Sequence, residues 1–313
     1  GATHVKTQNI FAEDLSKRDR FENGVINSNN EIEVIKRPYQ EEYDRLKKLE
    51  LSYEDQLLFI EECKKANVEP LTTLFNIDRI ADIKALGFKS IKVASYDCGS
   101  FPLIEALSTN FQEVIVSTGA SYNNEIEESI NILKKSKVKF SILHCVTIYP
   151  TNLNQFHLSR MEFLYSLSNS VGFSDHSLAA RDDIKGSLCA IYLGATTIER
   201  HFTILASDQT RDGPVSINKK QLNKLKNFSN LSKENQLSYL NELGINVVKD
   251  LPGVGKNLQD HLETYIQQEC KTPDTLYSAT KLLNKLVLGI QWFLFKSGVG
   301  AHSHLEAGGF AKS

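Results

Sequence analysis

The chain has 313 residues, 41% of them hydrophobic and 24% charged, and a net charge of −2. That length holds one large or two ordinary domains, and the balance is that of a folded soluble protein rather than a disordered one. So small a net charge gives no electrostatic reason to expect nucleic acid or a membrane surface as partner. Five cysteines without a C-x-x-C pair predict free thiols and a reducing, cytoplasmic setting. No stretch reads as a bilayer span, since the apolar run from Leu282 to Phe295 is broken by Asn284, Lys285 and Gln291. The opening, Gly1 to Gln8, has neither an initiator Met nor a signal-peptide pattern and reads directly into a strand, so a cut-in start is expected.

Up to about residue 230, short β-branched runs alternate with amphipathic, charged stretches. The candidate strands, in chain order, are residues 4–8, 68–74, 90–95, 113–119, 140–146, 170–175 and 196–201. Between them lie helical patterns such as residues 125–135, where Ile126, Ile130 and Leu133 share one face. Strand and helix at this pitch predict an α/β fold with a parallel sheet. Most strands end in small or polar residues: Thr72 and Thr73, Ser95, Ser117 to Gly119, Thr147, Ser174 to His176, and Glu199 to His201. Reactive endings spread over seven strands favour a TIM-type (β/α)8 barrel, whose sites lie on the C-terminal rim, over an open sheet with one crevice. Seven strands are one short of closure, and the expectation is a truncated barrel lacking its first strand. The rhythm stops after a polar stretch, Asn227 to Glu242, which sets a boundary between residues 1–242 and 243–313.

His176 and His201 end two adjacent candidate strands, and neighbouring strands lie about 5 Å apart. Two imidazoles on one rim could reach one divalent cation; two unrelated polar histidines are the alternative. Lys6 and Lys92 run toward the same rim, beside Thr73, Ser95, Ser117 and Ser174. Projecting into a barrel mouth they would form an anion pocket, whereas elsewhere a strand lysine is a solvated edge residue.

The strings KVAS (Lys92–Ser95), VSTG (Val116–Gly119), LHCVTIYPT (Leu143–Thr151), GFSDHS (Gly172–Ser177) and ERHFT (Glu199–Thr203) stand in the order and spacing of the sialic-acid synthases. The resemblance covers residues 1 to about 240 and includes the legionaminic and pseudaminic acid synthases. It implies a transferase of carbohydrate biosynthesis that condenses phosphoenolpyruvate with an N-acetylated amino sugar. It implies manganese, or magnesium, on His176 and His201, acting as Lewis acid on the sugar aldehyde. Phosphoenolpyruvate would lie on Lys6, Thr73, Lys92, Ser95 and Ser174, with Ser117 nearby and Thr147 placed to contact substrate oxygen. Tyr149 matches a sugar-contacting tyrosine, and Asp97 and Glu199 match the family's working carboxylates, Asp97 one methylene shorter than the usual Glu. Asp212 to Val215 stand where many members read Gly-Pro-Asp. The family's homodimer uses a C-terminal antifreeze-like domain with a sugar-site arginine, and its first strand carries a glutamate; neither is recognisable here, which predicts impaired turnover.

Residues 243–313 resemble another family, the GMC oxidoreductases, and within it choline dehydrogenase. The strings are DLPGVGKNLQDH (Asp250–His261), LYSATK (Leu276–Lys281) and GVGAHSHLEAGGF (Gly298–Phe310). The resemblance implies FAD, with Gly255 and Asn257 on the flavin side. Read without it, Gly253-Val254-Gly255 is a tight turn rather than a dinucleotide fingerprint, because Leu258 stands at the third glycine. His302 and His304 share a face but show no third ligand. Two alternatives to a working synthase therefore remain: a metal- and phosphoenolpyruvate-binding remnant, and an FAD-dependent oxidoreductase acting on CH–OH donors.

Overall fold

The structure is a computed structural model that describes residues 1–245 and 281–297. The chain divides into two compact units, Gly1–Lys249 and Asp250–Ser313. The first unit runs β1 (His4–Asn9), α1 (Asp19–Asn23), β2 (Val25–Ile26), β3 (Ile32–Val34), α2 (Tyr39–Lys47), α3 (Tyr53–Lys65), β4 (Glu69–Leu74) and α4 (Ile80–Leu86). It continues β5 (Ser90–Val93), α5 (Phe101–Asn110), β6 (Glu113–Ser117), α6 (Asn123–Ser136), β7 (Lys139–Cys145), α7 (Arg160–Leu167) and β8 (Val171–Asp175). It ends α8 (Ala179–Asp182), α9 (Lys185–Tyr192), β9 (Thr197–Arg200), α10 (Lys219–Ser229) and α11 (Lys233–Glu242).

Seven strands form one parallel sheet in the order β1-β4-β5-β6-β7-β8-β9, curled into a half-barrel with the helices outside. Each predicted run became a strand with its ends shifted by one or two residues: the run at 4–8 reaches Asn9, the run at 140–146 starts at Lys139, and the run from Ser90 stops at Val93, before Ser95 opens a 3-10 turn. The antiparallel pair β2–β3 and the short helix α1 were not foreseen.

Alternation along the strands sorts the side chains. Ile91, Val93, Val114, Val116, Ile142 and Phe173 face outward and pack with Ile83, Leu103, Ile104, Leu107, Ile130 and Leu164 of the helices. Leu71, Ile115 and Leu143 face inward as a small separate cluster under the mouth. Gly172 lies on the same inner face, where an added Cβ would stand 2.5 Å from Leu143 Cδ2 and closer still to the Thr197 carbonyl. The predicted stripe of α6 is buried, with Ile126 and Leu133 inaccessible. α3 starts on a capping box in which Ser52 Oγ accepts from Asp55 N at 3.1 Å and Asp55 Oδ2 accepts from Ser52 N at 3.2 Å. α4 stops at Gly87, whose φ of +96° favours glycine.

In the second unit the described residues form α12 (Leu282–Phe295), an apolar helix interrupted by Asn284 and Lys285. Among the described residues no helix is long and apolar enough to cross a membrane.

Candidate active site

The mouth is built by residues that leave the strands on their inner face. Lys92 sits centrally, its side chain 5% exposed. Its Nζ donates to Ser117 Oγ at 2.6 Å and to the Val93 carbonyl at 3.3 Å, and lies 3.3 Å from Glu199 Oε2. Lys6 of β1 reaches the other oxygen, Glu199 Oε1, at 3.5 Å, and Thr73 Oγ1 at 3.5 Å. Ser174 Oγ donates to Glu199 Oε2 at 2.9 Å. Burial pushes the Lys92 ammonium below its usual pKa, while the Glu199 carboxylate opposes that shift. Burial alone would raise the Glu199 carboxyl; Lys92 and Lys6 override it and hold the group well below the usual carboxylate range. Two cations thus share one anion, and the cluster carries a net positive charge toward any incoming anion.

Beside it stand the histidines. The His176 and His201 ring centroids are 5.5 Å apart. Burial, then His201, push His176 down to about 4. Burial also lowers His201, against the pull of Asp212. Both imidazoles are therefore neutral near pH 7, the form that binds metal. His176 Nδ1 lies 3.3 Å from the Val146 carbonyl, which can only accept, so Nδ1 carries the proton and Nε2 keeps its lone pair. Tyr149 OH donates to that Nε2 at 2.7 Å. Burial pushes the Tyr149 phenol well above its usual range, which keeps it an O–H donor.

Ser95 and Thr147 approach one another over Gly119, where an added Cβ would stand 3.0 Å from Ser95 Oγ and 2.8 Å from Thr147 Cγ2. Lys6, Thr73, Lys92, Ser117, Ser174 and Glu199 thus form one network, with Tyr149, His176 and His201 adjoining it. Asp97 stands apart. Among the described residues its carboxyl has no hydrogen bond or ion pair; burial raises its pKa and Arg18 pulls the other way. Gly255, Asn257, His302 and His304 lie outside the described residues.

Three features escaped the sequence reading. Cys145 Sγ lies 3.9 Å from His176 Nδ1. Asp212 Oδ2 lies 3.9 Å from His201 Nδ1, on a loop whose sequence departs from the resembled pattern. Asp175 and Arg200 form an ion pair whose side chains are 0% and 3% exposed. A charge inside the fully buried strand β8, with an opposite charge at the matching position of β9, was the available signal, because a buried charge requires a partner.

Residues 1–237 match the NeuB family. The chain belongs to that family. An N,N'-diacetyllegionaminic acid synthase of Campylobacter jejuni subsp. jejuni serotype O:2 is 34% identical over 173 residues, which is 54% of this chain and 50% of that protein. The solved N-acetylneuraminic acid synthetase of Leptospira borgpetersenii serovar Hardjo-bovis superposes with a TM-score of 0.60 at 28% identity, covering 81% of this chain and 78% of that one. The oxygen-dependent choline dehydrogenase of Brucella ovis is 55% identical over 76 residues, 24% of this chain but only 14% of that protein, in keeping with the resemblance of the C-terminal segment. This NeuB-family chain thus spans about half the length of its legionaminic acid synthase relative.

The two histidines fit a divalent cation as a partial donor set. Both are neutral, and His176 Nε2 carries its lone pair on the side facing the Tyr149 hydroxyl. Among the described residues no three His, Cys, Asp or Glu side chains group into a cage. Most coordination positions would fall to water or substrate, which suits manganese or magnesium better than a closed zinc site.

Proposed function

We propose that this NeuB-family protein joins phosphoenolpyruvate to the open-chain aldehyde of an N-acetylated amino sugar. The observation that carries the reading is the pair Lys6 and Lys92, which converge from β1 and β5 on the inner face of the sheet onto one carboxylate, Glu199 of β9, with two neutral histidines adjoining. The phosphate and carboxylate of phosphoenolpyruvate would exchange for Glu199 as partners of those lysines, with Thr73, Ser95, Ser117 and Ser174 supplying hydroxyls. His176 and His201 would hold a divalent cation, which would polarise the aldehyde oxygen as a Lewis acid. Carbon 3 of phosphoenolpyruvate forms a bond to the aldehyde carbon, water adds at carbon 2, and the resulting tetrahedral centre expels inorganic phosphate. Tyr149, half-exposed, would hydrogen-bond a sugar hydroxyl. Free thiols at Cys63, Cys98, Cys145 and Cys189 support a cytoplasmic setting. A homodimer remains part of the reading, to be tested by sedimentation.

The test is phosphate release by the whole chain with manganese, phosphoenolpyruvate and N-acetylmannosamine or another N-acetylated hexosamine, alongside thermal melts with and without each ligand. Release that requires both substrates is the expected result. Absence of release together with absence of any ligand-dependent shift refutes the proposal.

A second reading is a binding protein without turnover. The open sheet supports it, since β1 and β9 are edges on either side of the mouth. Upward melt shifts with phosphoenolpyruvate but no released phosphate would select it. An FAD-dependent activity rests on the C-terminal resemblance, and a purified protein without flavin absorbance removes it.

A further inference from the structure

The atom of His176 that would hold a cation is already in use. Nδ1 is committed to the Val146 carbonyl, so Nε2 offers the only lone pair of this ring. The Tyr149 hydroxyl lies 2.7 Å from Nε2. Its ring covers the His176 face at a centroid distance of 4.0 Å and meets His201 edge-on at 5.9 Å. One phenol therefore shields both histidines. A metal–nitrogen bond is about 2.1 Å long, and a lone pair given to a cation cannot also accept from O–H. Tyr149 is 50% exposed and its neighbour Ile148 likewise, so the side chain has solvent to turn into.

We propose that Tyr149 is a positioning residue that caps His176 Nε2 and competes with the divalent cation for it. The proposal rests on the metal reading above. Binding of the cation releases the phenol toward the rim, and whatever holds the released phenol there raises cation affinity. Linkage makes that effect reciprocal: a sugar whose hydroxyl accepts from or donates to Tyr149 tightens the metal, and the metal tightens the sugar by the same factor. Metal and amino sugar are thus coupled through one side chain, without movement of the sheet.

The experiment is titration of the full chain with Mn(II), reading the unbound aquo ion by electron paramagnetic resonance, so that no turnover is needed. Wild type, Tyr149→Phe, His176→Gln and the remote control Tyr122→Phe are compared. Tyr149→Phe is expected to bind about 5-fold more tightly than wild type, the worth of one hydrogen bond no longer to be broken. Tyr122→Phe should be unchanged. N-acetylmannosamine should tighten Mn(II) in wild type but not in Tyr149→Phe. Equal or weaker binding by Tyr149→Phe overturns the cap, weaker binding identifying the phenol as a ligand instead. If wild type binds Mn(II) and His176→Gln does not, that failure belongs to the cap alone. If wild type itself binds no Mn(II), or His176→Gln binds as wild type does, the metal reading fails and takes the cap with it.

Discussion

Replacing Glu199 by Gln keeps the shape of the side chain and removes the anion that Lys6 and Lys92 share. Lys92 is then a nearly buried ammonium left with Ser117 Oγ at 2.6 Å and the Val93 carbonyl at 3.3 Å. Removing one partner of a buried pair costs about 3–5 kcal/mol. Lys92 keeps two hydrogen bonds and the Glu199 side chain is 22% exposed, so the lower end, about 3 kcal/mol, is expected. Urea unfolding at pH 7 in a buffer without multivalent anions measures it. The same melts with phosphoenolpyruvate should restore more stability to Glu199→Gln than to the parent, because an external anion now meets two unneutralised lysines. Acid behaviour gives an independent check. The folded pKa of Glu199 lies below the unfolded value, so its stabilising effect is complete above the unfolded pKa and is lost as pH falls toward the folded one. Glu199→Gln should therefore lose less stability than the parent below about pH 4.3, the ordinary value for Glu. A variant as stable as the parent at pH 7, with no larger gain from phosphoenolpyruvate, would show that the lysines are not organised around this carboxylate.

Gly172→Ala should lower stability by about 1–3 kcal/mol in urea melts, because the new methyl group would press on Leu143 and the Thr197 backbone; a neutral result would mean that the inner face has slack there. His144 donates from Nε2 to the Phe156 carbonyl at 2.6 Å, and its buried Nδ1 has no partner among the described residues. Burial lowers its pKa, so the unfolded chain protonates first: stability is complete above about pH 6.5 and is lost as pH falls below it, and His144→Phe should flatten that slope between pH 7 and 5. Asp175→Asn leaves Arg200 buried without its counter-charge and should cost about 3 kcal/mol at pH 7; denaturation curves superposing on those of the parent would refute the pairing.

Much of this was legible in the sequence for a physical reason. Strands buried on both faces read as continuous β-branched runs, as in Val114 to Val116, and they stop where polar residues reach the rim. The two-residue strand β2 and three-residue strand β3 are too short to show a period. The anion cluster was visible as residue types but not as a network, since Lys6 and Glu199 are 193 positions apart and meet only because the sheet curls. Asp212 belongs to a loop without a period, and Asp97, expected among the working carboxylates, has no tie to the cluster.

The site also explains why two charged residues are tolerated beside it. Ser174 and Asp175 end β8 with His176 just beyond, as Glu199 and Arg200 end β9 with His201 just beyond, and the register pairs Ser174 with Glu199 and Asp175 with Arg200. Period-two alternation sends the first and third of each triplet inward and the second outward. The inward pair makes the Ser174–Glu199 hydrogen bond, and the rim pair brings the histidines together. The outward pair is the buried ion pair, in which Asp175 also accepts from Ser177 N at 2.9 Å, Ser177 Oγ at 2.7 Å and Ser187 Oγ at 2.5 Å. Among the described residues Arg200 Nε and Nη2 have no partner, so the pair is not optimised for stability, and apolar residues would serve a core as well. The expected role of the pair is to fix register. A slip of one residue between β8 and β9 would separate Asp175 from Arg200 at a cost of several kcal/mol and would turn Glu199 away from both lysines. The charges behind the sheet thus hold in place the charges in front of it.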